Sequence, residues 1–417
     1  MRFIRRIRYF IIACIAFLVV GFYAVVTFNL SFMGPIARAL KNFSMTDIYT
    51  QILQSTGDPD TSQVITIVDM TELIERRDLA QALEDIMAYE PKAVGVDVVF
   101  EGLKPDSMSD RWLVDIASNY KNITWSCKYL DFNAVTQNYE TEVHSFFKEE
   151  AQPVEGFTNM PRDLYEGLKR KVSVAGRAHN ELLPSFVLSV GNTFADRELM
   201  PLADKDININ FKPTHFITLS PDEIVEHPEL ISNRIVLFGA MKEETDMHYT
   251  PLGKIPGVEL LAYSVQTLIN KDAVWNLPNW LTWVISFIIV MITSWGLTKY
   301  KASQMRRRKS DFMKVFMTSL MVVGYIKFIW MAFLTWIGFM LYNLYSMNIN
   351  LGWAFSGIAF IATAEGFYKV LFERDDQLKQ SKVVEKAEEE SVEALLPKNR
   401  KDNILPNEDA DITSRFH

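Results

Sequence analysis

Cysteine is almost missing from this chain: 417 residues carry two thiols, Cys14 and Cys127. Cys14 sits within a long apolar run and Cys127 far outside it, so no intramolecular disulfide is geometrically sensible. Both read as small buried hydrophobes. A large exported region without disulfides suits a bacterial envelope better than a eukaryotic ectodomain. Histidine is scarce too, with six in all. No nucleophile–base pair and no complete metal-ligand set can be assembled, so neither an enzyme nor a metal or cofactor site is expected.

Charge is missing from most of four stretches: 9–28, 280–297, 316–341 and 351–371. Each holds about 18 or more mostly apolar residues, the length that crosses ~30 Å of hydrocarbon at 1.5 Å per residue. They predict four transmembrane helices and make the lipid bilayer a partner. Arg2, Arg5, Arg6 and Arg8 make a basic segment (1–8) ahead of the first run. The loop 298–315, with KYKASQMRRRKSDFMK around it, is strongly basic, whereas NLYSMNIN between the third and fourth runs has no charge. The positive-inside rule then places both termini in the cytoplasm and residues 31–279 outside. ARA at 37–39 resembles a signal-cleavage site, but the preceding run of about 20 residues exceeds the usual 7–15 of a signal h-region. An uncleaved anchor is expected, and with it a bacterial inner-membrane protein with a periplasmic domain. Trp275, Trp280 and Trp283 suit an interfacial belt at the outer end of the second run.

Residues 31–279 carry a net charge of about −15, against −8 for the whole chain, which excludes nucleic acid as a partner. This region reads as α/β. VITIVDM (64–70), PKAVGVDVVF (91–100) and NITWSCKYL (122–130) predict strands. TELIERRDLAQALEDIMAYE lies between the first two and shows Leu79, Leu83, Ile86 and Met87 on one helical face. SDRWLVDIASNY, capped by Ser109 or Asp110, follows the second. Strand, helix, strand, helix, strand implies a mostly parallel sheet. Residues 131–168 read as an irregular insertion or lid. KRKVSVAGRAH (169–179), DININF (206–211) and NRIVLFGA (233–240) are further strands, with LPSFVLSVGNTF and PGVELLAYSVQTLIN as helices.

The order IVDM, helix, AVGVDVVF, then IVLFGA, D-x-x-x-T-P-L, PGVE and AxxxQTLI ahead of three apolar runs resembles the type-two CHASE domain (CHASE2). That family is an extracellular sensor found on bacterial cyclases, protein kinases and histidine kinases, with one span before the domain and three after it. The resemblance covers roughly residues 9–371. Asp246 and Thr250 fall on the family's D-x-x-x-T-P turn and His248 does not; Leu261 stands where the family commonly has His. The resemblance implies an extracytoplasmic sensory domain. The tail 372–417 has no Gly-rich phosphate loop, no HRD-type loop and no histidine before His417, so no output domain is expected there. It reads as a short charged helix followed by a disordered end.

Three groups of residues are candidate sites. Asp69 and Asp97 occupy comparable places in the first two strands, where the carboxyl edge of a parallel sheet frames a ligand crevice. Asp69 is at its strand's end, whereas three apolar residues after Asp97 put it mid-strand. Either they grip a cation or hydroxyls, or they cap local turns. Asp246, His248 and Thr250 follow a strand, and Asp246 and Thr250 are read as bracing a turn fixed by Pro251 and Gly253, with His248 incidental. Lys327 and Glu365 interrupt the third and fourth runs. A charge in hydrocarbon costs at least ~2.5 kcal/mol, so the two are expected to pair. The small residues of the fourth run, Gly352 to Ala364, permit close helix packing, and a homo-oligomer is left open. The expected function is a sensor that binds an unknown small ligand or envelope protein outside and signals to an unknown effector protein inside. The competing reading is a non-signalling scaffold whose external domain docks another envelope protein.

Overall fold

The computed structural model describes residues 7–29, 44–136, 138–161 and 167–373. The expected basic N-terminus up to Arg6 and the expected helical tail beyond Glu373 lie outside the described residues. Helix α1 (Arg8–Asn29) is apolar throughout. Helix α2 (Met45–Thr56) starts at a capping box in which Ser44 and Asp47 satisfy each other's backbone, and it buries Met45, Tyr49 and Thr50. Then come β1 (Asp60–Asp69), α3 (Arg76–Ala88), β2 (Ala93–Val96), α4 (Ser107–Asn119) and β3 (Ile123–Asn133). The run continues with β4 (Asn138–Val143), the single turn α5 (Lys148–Ala151), β5 (Val154–Phe157), β6 (Lys171–Ser173), β7 (Ala175–Ala178) and β8 (Glu181–Pro184). Helix α6 (Phe186–Ala195), β9 (Asp206–Asn208), β10 (Thr214–Leu219), β11 (Ile235–Gly239), β12 (Met247–Thr250), β13 (Gly253–Pro256) and α7 (Gly257–Asn270) complete the α/β region.

The main sheet runs β10-β1-β11-β2-β3-β4-β7-β8, with β5 also on β3. From β10 through β3, and on to β5, every pairing is parallel. Such strands are buried on both faces and read as continuous apolar runs, which is the pattern of IVLFG in β11, buried at every residue. One face packs Val68, Val96 and Trp125 against Leu83, Ile86 and Leu113 of α3 and α4. The other packs Ile67 and Leu237 against Phe186 of α6 and Leu260 of α7. The chain is therefore a mixed α/β fold with a mostly parallel central sheet.

Three local expectations change. The cap of α4 is Asp106, whose carboxylate accepts from the backbone N–H of Met108 and Ser109. Asp110, read as a possible cap, is instead buried and pairs with the Arg76 guanidinium. Arg76 also donates to the carbonyls of Glu101 (3.0 Å) and Gly102 (2.8 Å) and lies 4.8 Å from the Phe146 ring. The region 131–168, read as irregular, supplies two strands of the sheet, β4 and β5.

Four helices among the described residues are long and apolar enough to cross a membrane: Arg8–Thr27, Asn279–Arg307, Leu320–Tyr345 and Gly352–Glu373. The second, α8 (Asn279–Arg307), follows β14 (Trp275–Asn276). It continues ten residues beyond the expected end at Leu297. The third run is broken at Ser319, so Phe316 belongs to a separate helix α9 (Asp311–Thr318) and α10 begins at Leu320 and ends at Tyr345. After β15 (Met347–Asn348) comes α11 (Gly352–Tyr368), which ends in a π turn, Lys369–Glu373. Helix α11 packs mainly on α1 and α8 and only slightly on α10. The small-residue face makes this possible: a Cβ on Gly357 would lie 2.5 Å from Val290 of α8.

Candidate functional site

A crevice of about 520 Å³ opens at the carboxyl ends of β2, β3 and β5. Parallel strands deliver their last residues to one edge, and the loops beyond them form the walls. Strand β2 ends at Val96, so Asp97 is not mid-strand as expected. Its N–H still donates to the Phe238 carbonyl at 2.9 Å while the following residues turn out of the sheet. Asp97 thus stands at the crevice base with Lys128 from β3, Asn159 beyond β5, and Asp246 and His248 from the loop after β11. Burial pushes the Asp97 carboxyl up to about 7, and the Asp246 carboxylate adds to the effect; Lys128 and His248 oppose it, and Glu243 adds to it again.

Asp246 and His248 are held by the segment that follows β11. Strands β12 and β13 form an antiparallel hairpin in which His248 faces Ile255 and Thr250 faces Gly253. Thr250 is buried; its hydroxyl donates to the Gly253 carbonyl (3.0 Å) and accepts from the Leu252 N–H (3.2 Å). Gly253 turns the corner at φ +108°, a conformation that favours glycine. Asp246 Oδ1 lies 3.3 Å from His248 Nε2. Its other oxygen lies over the first residue of α7, where a Cβ on Gly257 would come within 2.1 Å of it. Only glycine allows this approach, and the helix N-terminus favours the charge there. Thr250 braces the hairpin, and Asp246 and His248 line the crevice wall.

Asp69 is separate from this wall. Its Oδ1 accepts from the backbone N–H of Thr71 (3.0 Å) and Met241 (3.1 Å) and from the Thr71 hydroxyl, and Lys242 lies 3.7 Å from Oδ2. Burial works against the charge, but these donors outweigh it and hold the carboxyl below its ordinary range. Asp69 ties the end of β1 to the loop after β11, which is the capping use of Asp. Lys128, Glu243 and Lys169, also in the crevice walls, are not among the residues that the sequence singles out. Lys128 lies mid-strand in β3, one residue past the last β3 position paired with β5, so the strand-end rule that points to Asp69 does not mark it.

The apolar helices correct the expected ion pair. Glu365 pairs with Lys301 of α8 at 3.3 Å, whereas Lys327 donates to the Ala359 carbonyl at 3.4 Å. The reason is the extra length of α8, which carries Lys301 alongside α11.

The α/β region also grips the connection between α10 and α11. Strands β14 and β15 pair in parallel, with the Trp275 N–H on the Ser346 carbonyl (2.8 Å) and the Leu277 N–H on the Asn348 carbonyl (3.0 Å). Asn348 Nδ2 donates to Asn276 Oδ1 at 2.8 Å. Buried Asn210 reaches Ser346 Oγ (3.2 Å), and Lys212 donates to the Asn343 carbonyl (3.0 Å).

A mostly parallel α/β domain with a polar crevice at its carboxyl edge, clasped to a set of long apolar helices, defines a mixed α/β domain carried on helices long enough to cross a membrane. Residues 15–299 match the family model of the CHASE2 domain. The chain belongs to the CHASE2 domain family, an extracellular sensor domain. Comparison with curated proteins and with solved structures found no match.

Proposed function

We propose that this chain is a multi-pass membrane sensor whose crevice binds a small polar ligand bearing a cationic group. The four apolar helices cross the bacterial inner membrane, with both termini inside and the α/β domain in the periplasm. Four carboxylates (Asp97, Glu101, Glu243 and Asp246) line the crevice against Lys128, Lys169 and His248. The half-buried Asp97 carboxyl at the crevice base carries the reading. An incoming ammonium or guanidinium supplies the charge that burial and Asp246 deny it, so binding and deprotonation reinforce each other. The chain acts by binding rather than catalysis. The β14–β15 clasp gives the bound state a route to the helices, and through them to a separate effector protein.

The test is thermal unfolding of the full chain in lipid nanodiscs with a panel of amino acids, polyamines and quaternary amines. A ligand-dependent rise in melting temperature that Asp97→Asn removes is expected. If the wild type shifts with none of these, while a stoichiometric envelope protein co-purifies, the scaffold reading replaces this one.

A further inference from the structure

A second polar cluster lies away from the crevice wall just described. Cys127 of β3, His144 after β4 and Glu155 of β5 each turn one donor atom toward the others, with all three atoms within 4.8 Å of one another. The parallel β3–β5 register sets Trp125 beside Glu155 and Cys127 beside Phe157. Cys127 and Glu155 are therefore diagonal neighbours on one face of the sheet. His144 completes the group because β4 folds back antiparallel on the outer half of β3, with Val143 paired to Lys128.

The partners within the cluster are asymmetric. His144 Nδ1 lies 2.8 Å from Glu155 Oε2, and its Nε2 lies 2.8 Å from Glu142 Oε2. Lys148 Nζ is also 2.8 Å from Nε2, and His179 Nδ1 is 3.0 Å from the second Glu142 oxygen. Glu142 is thus occupied as the carboxylate that orients the imidazole from behind. On the other side, Glu155 Oε1 is buried with no hydrogen-bond partner among the described residues, and Cys127 is 1% exposed. A buried carboxylate oxygen without a donor is costly unless a cation meets it.

We propose that Cys127, His144 and Glu155 form a Zn²⁺ site, with Glu142 as the positioning residue that fixes the His144 ring. One sulfur, one imidazole nitrogen and one carboxylate oxygen are the donors zinc takes. Three protein ligands leave the fourth tetrahedral position to water. Binding replaces the thiol proton by the metal, so one proton leaves Cys127 as the Zn–S bond forms. The site would pin β4 and β5, the two strands of the region that reads as irregular in the sequence, to the end of β3.

The experiment uses the full chain in detergent, stripped with a chelator, dialysed against Zn²⁺ and analysed for metal per chain. One equivalent is expected in the wild type, lost in Cys127→Ser and in the nearly isosteric Glu155→Gln. Glu142→Gln keeps all three ligands and is expected to weaken binding by about 10–100-fold, the usual effect of removing an orienting partner. Titration with Co²⁺ alone is expected to give a thiolate-to-metal charge-transfer band in the wild type and none in Cys127→Ser. A wild type that retains no stoichiometric zinc, or a Glu155→Gln variant that retains as much as wild type, overturns the assignment.

Discussion

Replacing Asp97 by asparagine tests the crevice electrostatics directly, because it deletes the ionisable group and keeps its shape. The carboxyl rises from an ordinary 3.8 to about 7 in the folded chain. Between those two pH values the folded chain holds a proton that the unfolded chain has released. Stability is then full below the ordinary value and is lost as pH rises toward 7. At about 1.4 kcal/mol per pH unit the loss reaches roughly 4 kcal/mol, an upper limit because the crevice opens to water. The asparagine side chain has nothing to ionise and escapes this loss. The variant and wild type should therefore unfold at nearly the same temperature at about pH 4, with the variant roughly 5–10 °C higher at about pH 8. Groups remote from Asp97 act on both proteins and cancel in the difference, whereas Asp246, Lys128, His248 and Glu243, which act on Asp97, stay part of what is measured. The measurement is thermal unfolding of the two full-length chains at matched pH values in one detergent. A difference that stays flat across this range, or that favours wild type as pH rises, refutes the account of Asp97.

Three further outcomes follow from other contacts. Arg76→Ala strands the buried Asp110 carboxylate and should cost about 3–5 kcal/mol, measured as lost thermal stability; a cost under about 1 kcal/mol would show the pair to be solvated. The Tyr49 hydroxyl is buried without a partner among the described residues, and a Cβ on Gly338 would lie 2.1 Å from it but 3.0 Å from the ring carbon that carries it. Tyr49→Phe should therefore stabilise by about 1 kcal/mol, and Gly338→Ala should be much better tolerated in that background than in wild type. A double-mutant cycle on Lys301 and Glu365 should give a coupling of about 1 kcal/mol, with Lys327 and Glu365 coupled less; the reverse order would restore the pairing expected from sequence.

The parts of the fold that were legible are those whose side chains face apolar surroundings on both sides. VITIVDM and IVLFGA announce themselves because parallel strands under two helical layers need nothing polar. NYETEV and VEGF do not stand out as strands because β4 and β5 carry Glu142 and Glu155, whose burial is offset by partners on other elements. Asp97 is misplaced for the opposite reason: Val98, Val99 and Phe100 prolong the apolar run after the backbone has left the sheet. Composition does not mark that departure. The expected partner of Lys327 is wrong because apolar residues end at Leu297 while the helix does not, so Lys301 stands beyond the reach assigned to α8. The hairpin corner at Thr250 and Gly253 was legible, since its turn chemistry is local. The position of His248 in the crevice wall was not, since the other walls come from β2, β3 and the loop after β5.

The clasp also sets an order of events during synthesis. Ser44 and Thr50, at the start of the α/β region, meet Asn348 and Tyr342, which lie 304 and 292 positions later. At about 5–20 residues per second of translation, roughly 15–60 s separate the emergence of these partners from the ribosome. Through that interval Tyr49, on the inward face of α2, lacks the Phe339 and Tyr342 rings of α10 against which it packs. The sheet can close on its own strands well before this happens. The junction with the helix bundle therefore waits for α10 and β15, and a chain halted before Tyr342 leaves the apolar seam of α2 without these partners.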